Sequence, residues 1–573
     1  MHRPWRDLAE RLAARGLPTL RFDYLGTGDS AGDAEVELNL GSWVQSACDA
    51  AQFLRAAAGV ETLTLVGFRF GANLAVACAE RLGGIDGLVL MAPAPSGRAY
   101  CRELTLMAKL SLRGVAPAPS QCPEAHGIRL TPEAVAHLED FGLLQRDQRP
   151  ARRALILIRD DLPPDRQVAE RMAAVGVGVQ EGMFANYAQL RWRVDYSAYP
   201  AEAFEQVIGW LQPHPRPARP PICYSSEVSL PIPDVRETAM AFGPAPGLFG
   251  VLCGPVAPPV GARPTLVFLS PGTTPHMGDD RMWVLMARRF ARMGFTSLRF
   301  DVAGVGDSSA RTGDAAPVAN LGQAAADLKA ALDWLETVGS KQFILVGYCL
   351  GAKVACNLAL RDPRVTAQFL INPWRLFWSE GAPLRGFHKP AYYLRAARNP
   401  TAWRRVLGGA ISGPVFRREA RRLARGVLAA LRRRISTEET RGSSASCSAR
   451  AIARRGLARL EQRLFETQTP EQAAAQAAVH RIRSLAARGV NTLLIYGDSD
   501  LLLEELEEYF GLGREHLAER LNLHIRLLAG VKHSLLRRSD RDQVVAILEE
   551  QLDADRQATA DPTAAAERKA VSP

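Results

Sequence analysis

The sequence predicts an α/β protein made of two copies of one mostly parallel sheet, each covered by helices on both faces. Three observations carry this. Short β-rich runs alternate with amphipathic helical patterns along most of the chain, as when crossover helices join parallel strands. Blocks of the first half recur in the second at a fixed distance. The 573 residues are too many for one ordinary core and fit two large units.

The repeat is legible residue by residue. Arg3-x-Trp5 matches Arg281-x-Trp283, and Leu20-Arg21-Phe22-Asp23 matches Leu298-Arg299-Phe300-Asp301. Gly26-Thr27-Gly28-Asp29-Ser30 matches Gly304-Val305-Gly306-Asp307-Ser308. The offset is 278 in these blocks and 280 further on, where Gly67-Phe68-Arg69-Phe70-Gly71 faces Gly347-Tyr348-Cys349-Leu350-Gly351. The expected division is a first domain over 1–212, a Pro/Arg linker over 213–221, a second domain over 222–555 and a disordered tail over 556–573.

Eight strands are expected in the second copy, in the segments 235–242, 249–253, 265–270, 296–301, 343–347, 368–371, 492–496 and 523–528. The first copy has no counterpart of the leading strands or of the loop Pro271–His276, because Met1 falls opposite Asp279. It is therefore read as N-terminally truncated. Either the second domain covers the edge of this sheet or the true start lies upstream of Met1; an uncovered sheet edge invites aggregation, which favours the second.

Composition excludes several classes. No run approaches the roughly 18 apolar residues of a membrane span, and no secretory leader is visible. Nine scattered cysteines without metal-type spacing point to the cytoplasm and to no bound metal or other cofactor. The net charge of +11 is concentrated in one place: 381–490 holds 23 Arg/Lys against 6 Glu. This falls inside an expected helical cap insertion at about 372–490. Its plain reading is a solvated cap face; the functional one is peripheral contact with an anionic membrane or substrate carrier. No nucleic-acid motif accompanies it, so nucleic acid is not an expected partner.

The chemistry concentrates at Cys349. A strand, a Gly-x-nucleophile-x-Gly turn and a helix make a nucleophile elbow, whose flanking glycines allow a turn sharp enough to expose the central side chain. Such a thiol stands at a helix N-terminus, a setting that favours thiolate. In chain order an acid and a histidine should follow. Asp500, or else Asp498, ends the strand Leu493–Tyr496, and His533 follows the strand ending at Leu528. The histidine would pair with the thiolate and protonate the leaving group, and the carboxylate would orient the imidazole. Oxyanion donors would be the N–H of Leu350 and one from Gly272 to Thr274, Thr273 among them. His276 is either a substrate contact or a cap of its loop. Cys356, on the helix behind the elbow, reads as an inert small hydrophobe.

The first copy is read as degenerate. Arg69 holds the nucleophile position and no histidine lies in 179–187, although an acid position survives at Asp160-Asp161. Arg69 could still bind an anion at the old site mouth. The paired Gly-x-Gly-Asp-Ser loops are not dinucleotide fingerprints, since no helix opens at their glycines.

On these elbows and loops the chain resembles the α/β-hydrolase superfamily over nearly its full length. The shared Leu298–Ser308 segment looks like that of serine aminopeptidase-like hydrolases, including exosortase-system-associated ones. Phe68-Arg69-Phe70-Gly71-Ala72 and Pro95–Leu104 look like a branch with arginine at the elbow. Gly347–Gly351 is also similar to the dienelactone hydrolase elbow, whose triad is Cys-Asp-His. The resemblance implies Cys-dependent hydrolysis or acyl transfer of a small-molecule or carrier-linked ester or thioester in the second domain. A non-catalytic protein holding an acylated or anionic ligand is the alternative.

Overall fold

The computed structural model describes residues 2–33, 40–111, 124–125, 128–129, 131–162, 165–192, 199–211, 230, 232–244, 247–257, 263–311, 321–373, 376, 470–498, 522–535 and 537–560. The linker, most of the basic insertion and Asp500 lie outside these residues. Contacts divide the chain into two compact units. One comprises Met1–Leu376, Ser484–Asp500 and Ala518–Pro573; the other comprises Phe377–Arg483 and Leu501–Leu517. The second unit thus also takes Leu501–Leu517, which the sequence reading left in the main domain. Its only described part is the start of the helix Pro470–Ala487. No helix among the described residues is long and apolar enough to cross a membrane.

The first unit holds two main sheets. The smaller is built from β1 (Thr64–Phe68), β2 (Gly87–Met91), β5 (Arg153–Arg159) and β6 (Gly178–Phe184), all parallel and in that order. A two-stranded hairpin, β3 (Glu124–Ala125) with β4 (Ile128–Arg129), stands apart. The larger sheet contains β7 (Val235–Phe242), β8 (Leu248–Pro255), β9 (Thr265–Leu269), β10 (Ser297–Phe300), β11 (Phe343–Tyr348), β12 (Val365–Ile371), β13 (Asn491–Gly497) and β14 (Leu523–Leu528). Its order is β14-β13-β12-β11-β9-β10-β8-β7, parallel except where β8 meets β7 and β10. These are the eight strands read from the sequence. The four parallel strands β11 to β14 appear in the same order as β1, β2, β5 and β6.

Burial follows the strand pattern. All six residues of β11 are buried, as a central strand covered on both faces requires. The helix Met282–Arg292 presents Trp283, Met286, Ala287 and Phe290 to one face, joined by Val544, Leu548 and Leu552 of the helix Arg538–Ala560. That last helix continues to Ala560, past the expected start of the tail at 556. Each such side chain contributes about 1.5–3 kcal/mol by leaving water. In the smaller sheet, Leu8 and Leu12 of the helix His2–Ala13 pack with Phe204 and Val207 on one face. The helix Phe70–Leu82 packs on the other.

The two sheets differ at the position of β10. β10 lies between β9 and β8, and its counterpart Leu20–Phe22 forms no strand. A lone extended segment cannot satisfy its backbone without sheet neighbours. β1 accordingly becomes an edge, with Val66 41% exposed, whereas its counterpart β11 is interior.

The two lobes of this unit meet reciprocally. Arg299 pairs with Asp29, and Arg21 pairs with Asp307 at 2.8 Å. The 278-residue offset makes these the same pair taken in opposite directions, as across a two-fold axis. Arg281 donates to the carbonyls of Gly28 (2.7 Å) and Ser30 (2.6 Å), while Arg6 donates to those of Gly306 (2.9 Å) and Ser308 (2.8 Å). Arg299 is fully buried and also pairs with Glu237 at 2.6 Å, which Arg288 meets at 2.7 Å.

Candidate active site

β11 ends at Tyr348 and the next helix begins at Leu350, leaving Cys349 alone in the turn with φ 54° and ψ −113°. A left-handed non-glycine residue is strained and persists only where its surroundings enforce it. Gly347 enables the close turn: a Cβ there would lie 2.5 Å from the Ala352 Cα. Arg69 repeats the geometry in the smaller lobe, with φ 51° and ψ −123°.

Across the top of the sheet, the loop after β14 brings His533 Nε2 to 3.3 Å from Cys349 Sγ. This is the pairing expected from chain order, across 184 residues. Two side chains that sequence reasoning missed hold the histidine. Tyr348 Oη and Asn372 Nδ2 each donate to the His533 carbonyl at 2.8 Å. Asn372 is wholly buried at the end of β12, and its Oδ1 accepts from Gly497 N at 3.0 Å, tying β12 to β13. The repeat could have revealed both. At the 280 offset their counterparts are Phe68 and Ala92, which lack the hydroxyl and the amide.

Asp498 directly follows β13 and is exposed, with its N–H donating to Leu528 O at 2.9 Å. Asp500 lies outside the described residues. Pro271 to Thr274 form a turn closed by Thr274 N donating to Pro271 O at 3.0 Å, with Gly272 at φ 54°. The central N–H groups of this turn, on Gly272 and Thr273, take no part in that bond. Gly272 and Thr274 line a cavity of about 30 Å³ together with Ser270, Leu350 and Gly351. That is room for a small group of more than one water's size beside the start of the elbow helix.

His276 is not among the residues that line this cavity. It is 1% exposed; Nδ1 lies 2.8 Å from Asp301 Oδ2 and Nε2 lies 2.6 Å from Asp29 Oδ2. Both ring nitrogens are thus engaged by carboxylates. Burial opposes the charged ring, but Asp301 and Asp29 together outweigh it and lift its pKa to about 10. Among the described residues, His276, Asp301 and Asp307 form the one group compact enough to hold a cation. Their atoms are already committed: Asp301 Oδ2 also accepts from Asp307 N at 2.8 Å.

The corresponding site in the smaller lobe is filled. Arg69 pairs with Glu103 and donates to Ala92 O at 2.8 Å. Arg159 lies 3.5 Å from Glu103 and 2.8 Å from Asp161. Tyr187 is sandwiched near both guanidinium groups, 5.8 Å and 4.2 Å from its ring centroid. Asp160 accepts from the N–H groups of Asn186 (2.6 Å) and Tyr187 (3.0 Å). Asp160 therefore fixes a loop, and the Arg69 guanidinium, which could have met an anion, already has an internal carboxylate partner.

Residues 271–509 match the family model described as alpha/beta hydrolase fold. No curated protein matches the chain. Among solved structures, similarity extends to an alpha/beta hydrolase of unknown function from Agrobacterium tumefaciens (17% identity, TM-score 0.29, covering 56% of this chain and 97% of that one). An esterase from Pyrococcus furiosus matches at 14% identity and TM-score 0.30, over 56% of this chain and 90% of its own. Alpha/beta hydrolase domain-containing protein 10 from mouse matches at 14% and 0.29, over 55% and 99%. At such identities a likeness speaks to fold alone, and these TM-scores add no weight to it. Over the matched residues 271–509, the family model and the order of the eight-stranded sheet agree on an alpha/beta hydrolase fold.

Proposed function

We propose that this chain is a Cys-dependent α/β-hydrolase acting on an ester or thioester, by hydrolysis or acyl transfer. The chemistry belongs to the eight-stranded lobe, a full hydrolase domain in tandem with a degenerate, non-catalytic copy. The observation that carries the reading is the 3.3 Å approach of His533 Nε2 to Cys349 Sγ at a strained elbow. Cys349 thiolate attacks the acyl carbon, and the oxyanion forms near the N–H groups of Leu350 and of Gly272 or Thr273. His533 delivers the proton to the departing alcohol or thiol, leaving an acyl-thioester on Cys349. His533 then takes a proton from water or an acceptor hydroxyl, which attacks the thioester and frees the thiol. Asp498 or Asp500 is the carboxylate that would steady the imidazolium.

The substrate is a small-molecule or carrier-linked acyl group, and the basic 381–490 segment is a fitting contact for an anionic carrier or membrane surface. A working thiol suits a reducing cytoplasm. The decisive test combines turnover with labelling. Cys349→Ala should reduce hydrolysis of activated esters and thioesters to background. Iodoacetamide should modify Cys349 fastest of all cysteines, as read by peptide mass. Five other described cysteines are buried. A folded parent that neither turns over such substrates nor labels at Cys349 would favour the binding-protein alternative and refute the proposal.

A further inference from the structure

We propose that Asp29, in the lobe without a nucleophile, is a positioning residue for the oxyanion loop of the catalytic lobe. The inference rests on the function proposed above. It assigns the degenerate lobe a part in catalysis: holding the 270–278 loop in register with the elbow.

Within its own lobe the loop is held by backbone bonds from Thr274 N to Pro271 O at 3.0 Å, Gly278 N to Pro275 O at 2.9 Å and Trp283 N to Met277 O at 3.1 Å. Ser270 Oγ donates to Pro275 O at 2.9 Å and accepts from Trp283 Nε1 at 3.1 Å. Thr274 Oγ1 meets Asp279 Oδ1 at 3.3 Å. His276 ties the loop to both lobes. Its backbone N–H donates to Asp301 Oδ1 at 2.6 Å and its ring is gripped by Asp301 and Asp29 from opposite sides. Asp301 belongs to the same lobe as the loop, whereas Asp29 comes from 247 residues away in the other lobe.

A second anchor points to the same source. Just past the loop, Asp280 and Arg281 take φ values of 48° and 64°, left-handed and costly for side chains that carry a Cβ. Arg281 is held there by bonds to the carbonyls of Gly26, Gly28, Ser30 and Gly32. His276 within the oxyanion loop and Arg281 just after it, both on the C-terminal side of Gly272 and Thr273, are therefore fastened to the one turn that carries Asp29. Asp29 is itself fixed by Arg299. Without the Asp29 carboxylate, a His276 ring nitrogen in a 1%-exposed site loses its partner. The ring and the loop must then shift to find another. Gly272 and Thr273, only a few residues upstream, would shift with them.

The test separates oxyanion stabilisation from thiol activation. Alkylation of Cys349 by iodoacetamide displaces iodide at a saturated carbon and forms no oxyanion, so it reads the Cys349–His533 pair alone. Asp29→Ala is expected to lower kcat for an activated thioester about 10- to 100-fold. KM and the alkylation rate should stay within about 2-fold, because Asp29 touches neither the thiol nor its base. Asp29→Asn, which retains an acceptor, should lie between parent and Asp29→Ala, and serves as the folded variant if the alanine form does not fold. Arg21→Ala breaks the reciprocal Arg21–Asp307 pair of the same interface and should leave kcat unchanged. Unchanged kcat in both folded Asp29 variants would overturn the inference. So would an equal loss in Arg21→Ala, or alkylation falling in parallel with kcat. A parent with neither turnover nor labelling would overturn the proposed function, and this inference with it.

Discussion

Replacing Arg299 by Met should cost the protein about 3 kcal/mol of stability. Arg299 is fully buried and bridges Asp29 to Glu237, itself only 2% exposed. Removing one partner of a buried charge pair typically costs about 3–5 kcal/mol, since the remaining charge has lost water and its counter-ion. Here neither carboxylate is left alone. Glu237 keeps Arg288, through Nη2 at 2.7 Å and Nε at 3.2 Å, and Asp29 keeps His276 at 2.6 Å. The desolvation of Arg299 itself also disappears, which places the effect at the lower end of the range. At about 2 °C per kcal/mol for a large domain, the thermal midpoint should fall by roughly 6 °C. Calorimetry and urea unfolding of parent, Arg299→Met, Glu237→Gln and the double variant make a complete cycle. The double variant should be more stable than the sum of the singles implies by at least ~1 kcal/mol. An Arg299→Met midpoint at or above the parent's would refute the reasoning, because buried networks that cost more than they give gain from apolar replacement.

Gly347→Ala should abolish turnover, because the added Cβ would meet Ala352 backbone at 2.5–2.6 Å and no side chain can yield; thioester assays on folded protein check this. Arg69→Ala should keep kcat/KM within about 2-fold while lowering urea stability by about 1–2 kcal/mol, because Glu103 loses a charged partner but retains Arg159 at 3.5 Å. The raised pKa of His276 sets a pH dependence. With a folded value of about 10 against 6.5, its contribution is complete below pH 6.5 and declines as pH rises towards 10. The unfolding free energy from urea titrations should therefore fall between pH 7 and 9.5, by at most about 1.4 kcal/mol per pH unit from this group, and His276→Gln should flatten that slope.

Much of the site was legible because its signals are local. The elbow needs glycine at fixed positions beside a nucleophile, so Gly347, Cys349 and Gly351 announce it within five residues. Chain order then pointed to His533, because strand succession in a parallel sheet dictates which loops reach the same edge. Tyr348 and Asn372 went unread because their role is to bond a carbonyl 185 and 161 residues away, which no local pattern encodes. Only comparison with Phe68 and Ala92 would have flagged them.

His276 marks the other boundary. As a histidine in a glycine-rich loop near the elbow, it invited a substrate role, and the sequence left that role and a capping role open. Its partner Asp29 lies in a turn that by itself reads as an ordinary Gly-x-Gly-Asp-Ser loop. The sequence by itself determined the repeated blocks at offsets of 278 and 280, the succession of strands, the Gly-x-Cys-x-Gly and Gly-x-Arg-x-Gly turns, and the chain order of Cys349 and His533, since each is written in spacing and residue type along the chain. Tertiary structure alone decided that the two lobes meet through the reciprocal Arg299–Asp29 and Arg21–Asp307 pairs, that Arg69 is closed by Glu103, and that Asp29 grips the opposite lobe's loop. Those outcomes depend on which buried charges find counter-charges across the fold, a pairing set by three-dimensional proximity and desolvation.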